Sequence, residues 1–113
     1  MNDCLFCKIV AKEIPCNKAY EDDKVLAFHD INPQAPVHLL IIPKKHIASV
    51  AGTSEQDMDL YARIMSVTKR LAEEFGLKSG YRIVTNIGKD GGQAVDHLHF
   101  HLLGGRAMGW PPG

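Results

Sequence analysis

The chain has 113 residues, 45% of them hydrophobic and 23% charged, which suits one globular domain covering residues 1–113. Thirteen acidic and thirteen basic residues cancel, so the electrostatic footprint of a general nucleic-acid binder is missing. The longest apolar stretch, Val37–Pro43, is interrupted by His38 and is too short to span a membrane.

The opening Met1-Asn2-Asp3-Cys4 has no basic segment followed by an apolar one, so no secretory leader is expected. Asp3 is placed to cap a short helix from Cys4 to about Lys12. Leu5, Phe6, Ile9 and Val10 form its apolar side, and Ile14-Pro15 ends it. Cys4 and Cys7 make a Cys-x-x-Cys pair, which reads as metal ligands or as a redox pair, and Cys16 stands alone. An odd cysteine count argues against a secreted disulfide scaffold and for a cytoplasmic setting. Ala19–Glu21 and Lys24–Asp30 read as two strands around an Asp22-Asp23 turn, and Asn32–Pro36 as a loop. The apolar run Val37–Pro43 reads as a central strand. Ser54 and Asp57 form a capping-box start for one long helix, with apolar spacing from Met58 through Tyr61, Ile64, Met65, Thr68, Leu71 and Ala72 to Phe75. Gly76 stops it. Tyr81–Ile87 alternates like a strand, Gly88–Gly92 is a glycine-rich turn, and Leu98–Leu103 is a last strand before a tail over residues 104–113. The order predicts an α+β fold on an antiparallel sheet.

The segment His97-Leu98-His99-Phe100-His101 carries the chemistry. On a strand, alternate side chains share a face, so three imidazoles line one side at intervals of about 7 Å. Leu98, Phe100 and Leu102 face the core from the other side and hold the imidazoles on a rigid element. A single such histidine is most simply a half-exposed polar residue, but three in strict alternation are harder to explain that way. Three imidazoles on one straight strand seldom converge on one tetrahedral ion. The remaining option is that one ring attacks and a protonated neighbour steadies an oxyanion.

His97-x-His99-x-His101 followed by two apolar residues resembles the motif of the histidine-triad superfamily. Ala27–Ile31, Pro33–Pro36, Ile42–His46, Gly91–Gln93 and the ending Gly104-Gly105-Arg106 through Trp110-Pro111-Pro112-Gly113 are similar to its Hint branch, in order, over residues 4–113. The resemblance implies a homodimer whose sheets join, and hydrolysis of purine nucleoside 5′-phosphoramidates, such as AMP linked to lysine. His99 would attack the α-phosphorus, His101 would contact the phosphate, and His38 would support the triad. Asn86 and Gln93 would contact phosphate and ribose, the Ala94 N–H would face phosphate, and Asp30 would take the ribose hydroxyls. Leu5, Phe6, Ile9, Phe28, His29 and Ile31 would bound the base site, with Phe6 and Phe28 stacking on the purine. Trp110 would pack across the dimer beside the leaving group. Catalysis would need no cofactor. A structural zinc would be held by Cys4, Cys7, His46 and His97, leaving His99 and His101 for the phosphate. Many Hint proteins carry a hydroxyl residue at the position of Ala94, so protonation of a poor leaving group is expected to be slower here. Two alternatives follow from the wider superfamily: a dinucleoside polyphosphate hydrolase, and a non-catalytic nucleotide-binding scaffold. No nucleic-acid or membrane partner is expected.

Overall fold

The structure is a computed structural model describing residues 3–113; Met1 and Asn2, part of the segment read as lacking a leader pattern, lie outside it. In chain order the elements are α1 (Leu5–Val10), β1 (Lys18–Glu21), β2 (Val25–His29), β3 (Val37–Pro43), α2 (Met58–Glu74), β4 (Tyr81–Val84) and β5 (Phe100–Gly104). The strands form one antiparallel sheet in the order β1-β2-β3-β5-β4, so the last strand is inserted between β3 and β4.

The apolar run of β3 after His38 is explained by cover on both sides of the sheet. Leu39 and Ile41 point toward α2 and pack with Val25, Ala27, Ile64, Leu71, Phe100 and Leu102. Leu40 and Ile42 point the other way and pack with Phe6 and Ile9 of α1 and with Leu26 and Phe28. A strand buried on both faces has no polar side to alternate with. Among the described residues, no helix is long and apolar enough to cross a membrane.

Several boundaries differ from the sequence expectation, each for a local reason. Cys4, not Asp3, is the N-cap of α1: its Sγ accepts the Cys7 N–H at 3.3 Å. The helix ends at Val10, earlier than expected, because Lys12 turns left-handed at φ 65°. Lys12 N–H then bonds Ile9 O and Glu13 N–H bonds Lys8 O, a Schellman closure built without glycine. The Ser54–Asp57 capping box forms as expected, but it opens a 3-10 turn, Glu55–Asp57, before α2 begins at Met58. Met58 and Met65 of the expected helix stripe are exposed, while Ile64, Val67, Thr68, Leu71 and Ala72 are buried. Gly76, at φ 71°, ends α2. β4 stops at Val84 rather than Ile87, because the Thr85 hydroxyl bonds His99 O at 2.8 Å in place of a ladder bond. β5 starts at Phe100, so His97 and His99 precede the regular strand.

Candidate active site

Residue parity decides which side chains meet on the α1 face. Phe100 and Leu102 point to α2, so His101 points to α1. The alternation continues backward through the irregular segment: Leu98 packs in the α2-side core, while His97 and His99 lie edge-on to Phe6 of α1. His38 shares the α1-side parity of Leu40, and Leu40 pairs with His101 across the ladder, so His38 and His101 are diagonal neighbours. Asp30 follows β2 with the parity of Leu26 and Phe28, and its carboxylate lies 3.4 Å from His38 Nε2. Four histidines and one carboxylate therefore gather on this face by register.

His29 goes the other way. It has the parity of Val25 and Ala27, and its ring packs edge-on against Phe75 at 5.6 Å, on the α2 side. The expectation that its side chain bounds the base site is corrected on that ground. The signal was available: two apolar residues at even spacing before it already fixed the face.

The hydrogen bonds assign a protonation pattern. His99 Nδ1 lies 2.7 Å from His97 O, a partner that can only accept, so Nδ1 carries the proton and Nε2 the lone pair. Among the described residues no hydrogen bond reaches His99 Nε2. It is not sealed in either, since no buried side-chain nitrogen or oxygen lacks a partner. The ring is otherwise held in place, 5% exposed and flanked by Phe6 and His101. His38 Nδ1 accepts the Gln34 backbone N–H at 3.0 Å. The neutral His38 ring therefore holds its proton on Nε2, which donates to His101 Nδ1 at 2.9 Å. That leaves His101 with Nε2–H as its outward group.

Both rings are neutral at physiological pH. Burial lowers the His101 pKa to about 4, helped by the nearby rings of His99 and His38. Burial likewise lowers His38, outweighing the pull of Asp30. In the unliganded protein His101 therefore presents a neutral N–H, while the protonated neighbour expected from the sequence concerns the phosphate-bound state.

A second cluster lies at the other end of the triad. His97 Nδ1 is 3.3 Å from Cys4 Sγ, 3.5 Å from Cys7 Sγ and 3.2 Å from His46 Nδ1, and His46 Nδ1 is 3.2 Å from Cys7 Sγ. A tetrahedral zinc with Zn–N of ~2.0–2.1 Å and Zn–S of ~2.3 Å has N···N edges of about 3.3 Å and N···S edges of about 3.6 Å. The donor set matches those edges within a few tenths of an ångström. His97 Nε2 donates to Pro43 O at 2.9 Å, which frees Nδ1 as a ligand, the usual outer support of a metal-bound histidine. Asp30, His38 and His101 also lie close enough to share an ion. Their chemistry does not fit one, because the Gln34 N–H against His38 Nδ1 keeps the proton on the nitrogen that would have to bind metal.

The remaining expected residues fall into place unevenly. Phe6, Ile9 and Phe28 are buried, and Phe6 and Phe28 meet edge-on at 5.6 Å. Leu5 and Ile31 beside them are exposed. Asn86 lies beyond β4, and its amide bonds Gly91 O at 2.7 Å. The Gln93 side chain is spent inside the loop: Oε1 accepts Gly88 N–H, and Nε2 donates to Ala48 O and Val95 O. Its backbone N–H goes to Gly88 O. Gln93 thus braces the glycine turn, with both amide hydrogens used and one lone pair of Oε1 left to accept. Ala94 is exposed, and among the described residues its N–H makes no hydrogen bond. Trp110 is 83% exposed. Sequence reasoning gave no role to Gln34, Thr85 or Pro43, whose contributions to the histidines come mostly from backbone groups that no side-chain pattern announces.

The HIT domain family model matches residues 11–108. Similar proteins include a 14 kDa zinc-binding protein of Zea mays, 51% identical over 111 residues, covering 96% of this chain and 87% of its own length. Another is an Arabidopsis thaliana protein named adenylylsulfatase HINT1, 49% identical, covering 96% of this chain and 76% of its own length. Among solved structures, a HIT family hydrolase from Legionella pneumophila Philadelphia 1 superposes with a TM-score of 0.97 at 55% identity, covering 98% of this chain and all of that one (100%).

Proposed function

The chain belongs to the HIT domain family, and from that premise we propose that it is a nucleotide hydrolase in which His99 attacks the α-phosphorus of a purine nucleoside 5′-phosphoramidate. The observation that carries the reading is the fixed tautomer of His99: its inner nitrogen is committed to His97 O and, among the described residues, its outer nitrogen has no partner and is open. In the first step the Nε2 lone pair forms a bond to phosphorus and the P–N bond breaks. The departing nitrogen needs a proton, which His101 Nε2–H would give, and the same group would steady the phosphoryl oxygens before that. Water then attacks phosphorus and returns a proton to His101 as the P–Nε2 bond breaks, which releases the nucleoside monophosphate and restores His99 and His101. Asp30, whose Oδ1 holds the Asn32 N–H, would accept a ribose diol, and the Ala94 N–H would bond a phosphate oxygen. The floor of Phe6, Ile9 and Phe28 with exposed Leu5 and Ile31 would carry the base.

A second reading, cleavage of an adenylyl sulfate, is favoured by Ala94 and by the name of the Arabidopsis relative. Sulfate leaves as an anion and needs no proton, so a missing hydroxyl at that position costs little. Zinc would be held by Cys4, Cys7, His46 and His97 in a closed four-ligand site, where it ties α1 to the segment before β5 and takes no part in the reaction.

The deciding experiment uses purified protein with an adenosine phosphoramidate bearing a fluorogenic amine, and with adenylyl sulfate. Turnover of the phosphoramidate that falls by at least about a thousandfold in His99→Ala, with AMP binding kept, supports the main reading. Ala94→Ser should raise the amine rate and leave the sulfate rate unchanged. Binding of AMP without turnover of either substrate rejects hydrolysis in favour of a binding protein.

A further inference from the structure

Arg106 has no role in anything described so far. It stands just after β5, at the start of the C-terminal segment, and its side chain is directed back across the molecule. Its Nε donates to Gln34 O at 3.1 Å, and its Nη1 to Ala107 O at 3.2 Å. Beside it, Gly105 takes φ +92° and presses on the same loop: a Cβ added there would lie 2.9 Å from Pro36 Cβ. The C-terminal segment is thus fastened at two neighbouring points to the loop between β2 and β3.

The fastened residue is the one whose N–H sets the His38 ring. Gln34 receives Arg106 on its carbonyl and donates its amide to His38 Nδ1 at 3.0 Å. Both peptide units flanking its Cα are therefore fixed. If Gln34 N–H turns away, His38 can hold its proton on Nδ1 instead. The His38–His101 contact needs one N–H and one lone pair. His38 Nε2 would then present a lone pair, His101 Nδ1 would have to carry the proton, and His101 Nε2 would lose it. A one-proton change of register across two rings converts the outward group of His101 from donor to acceptor. An acceptor repels phosphoryl oxygen and cannot protonate a departing nitrogen.

We propose that Arg106 is a positioning residue which, through Gln34, holds the His38–His101 pair in the tautomer that turns an N–H toward the nucleotide phosphate. This rests on the hydrolase reading above for its catalytic consequence, but its structural content does not. The ordering is directional: it runs from a surface guanidinium, through the two peptide units of one residue, to a buried ring, and it makes the C-terminal segment part of the acid function without touching substrate.

The test reads ring-nitrogen chemical shifts of ¹⁵N-labelled protein by long-range proton correlation, alongside kinetics on two adenylates. Wild type should show both His38 and His101 with protonated Nε2 and bare Nδ1. Arg106→Ala should shift these signals toward a tautomer mixture. Its kcat on an adenosine phosphoramidate should drop about tenfold with KM little changed, and by clearly less on an adenylyl nitrophenyl ester, whose leaving group departs as an anion. Arg106→Lys, which keeps a donor for Gln34 O, should restore the wild-type spectrum. Unchanged nitrogen signals in Arg106→Ala, or equal losses on both adenylates, overturn the proposal. The spectra need no substrate, so they decide the ordering even if wild type hydrolyses neither compound and the functional reading falls.

Discussion

The neutral rings of His101 and His38 have a consequence for stability as well as for chemistry. His101 titrates at about 4 in the fold, against 6.5 as its ordinary value, because of burial and the adjacent His99 and His38 rings; burial lowers His38 too. An unfolded chain takes up these protons near pH 6.5 while the folded chain resists them, so stability is full above pH 6.5 and is lost as pH falls toward 4. A Tm series should be flat at neutral pH and decline through that window, and His101→Asn should make the decline shallower. Glu21, held down to about 2 by hydrogen bonds from Lys44 and then Lys18, adds a second loss that begins only below its ordinary 4.5. At this scale the sequence revealed which histidines share a face, because parity is written in the alternation of Leu98, Phe100 and Leu102. It did not reveal their tautomers, which depend on His97 O and the Gln34 N–H, or that the Gln93 side chain ties the glycine turn to Ala48.

At the level of elements, α1 depends on its two ends. Its C-terminal turn places Lys12 at φ 65°, a conformation that costs an L-residue about 1 kcal/mol and costs glycine little. Lys12→Gly should therefore raise stability by up to that amount in denaturant titration, and a loss would show that the lysine side chain has a compensating contact. The N-terminal end carries Cys4 and Cys7, and metal there would join α1 to His46 and His97. Native mass spectrometry should find one zinc per chain, and chelation should lower Tm; a mass matching the bare chain with unchanged Tm would reject the site. The long helix was legible because a capping box and a stop glycine bracket it. The end of β4 was not, because the Thr85 hydroxyl ends its pairing by capturing His99 O, a long-range event invisible in a local alternation.

For the molecule as a whole, the two sheet edges differ. β1 carries Lys18 and Glu21, paired at 2.9 Å, which guard it against further pairing. β4 exposes Tyr81 and Ile83, with Ile87 and Trp110 also exposed. If two copies join their sheets as the family resemblance implies, β4 is the edge that pairs. Sedimentation should give about twice the 12.5 kDa chain mass, and Ile83→Lys should return it to one. The fold class could be read from the order of elements, since each strand had a local signature; the placement of the final strand could not. That placement has an effect during synthesis. β4 pairs with β5 alone, and β5 is the last strand to be made. Until it arrives, β3 lacks one neighbour and β4 lacks its only one, so the nascent sheet stays open in the middle. His97 and His99 directly precede the strand that closes this gap and His101 lies within it, so the histidine cluster is complete only once synthesis has passed residue 104.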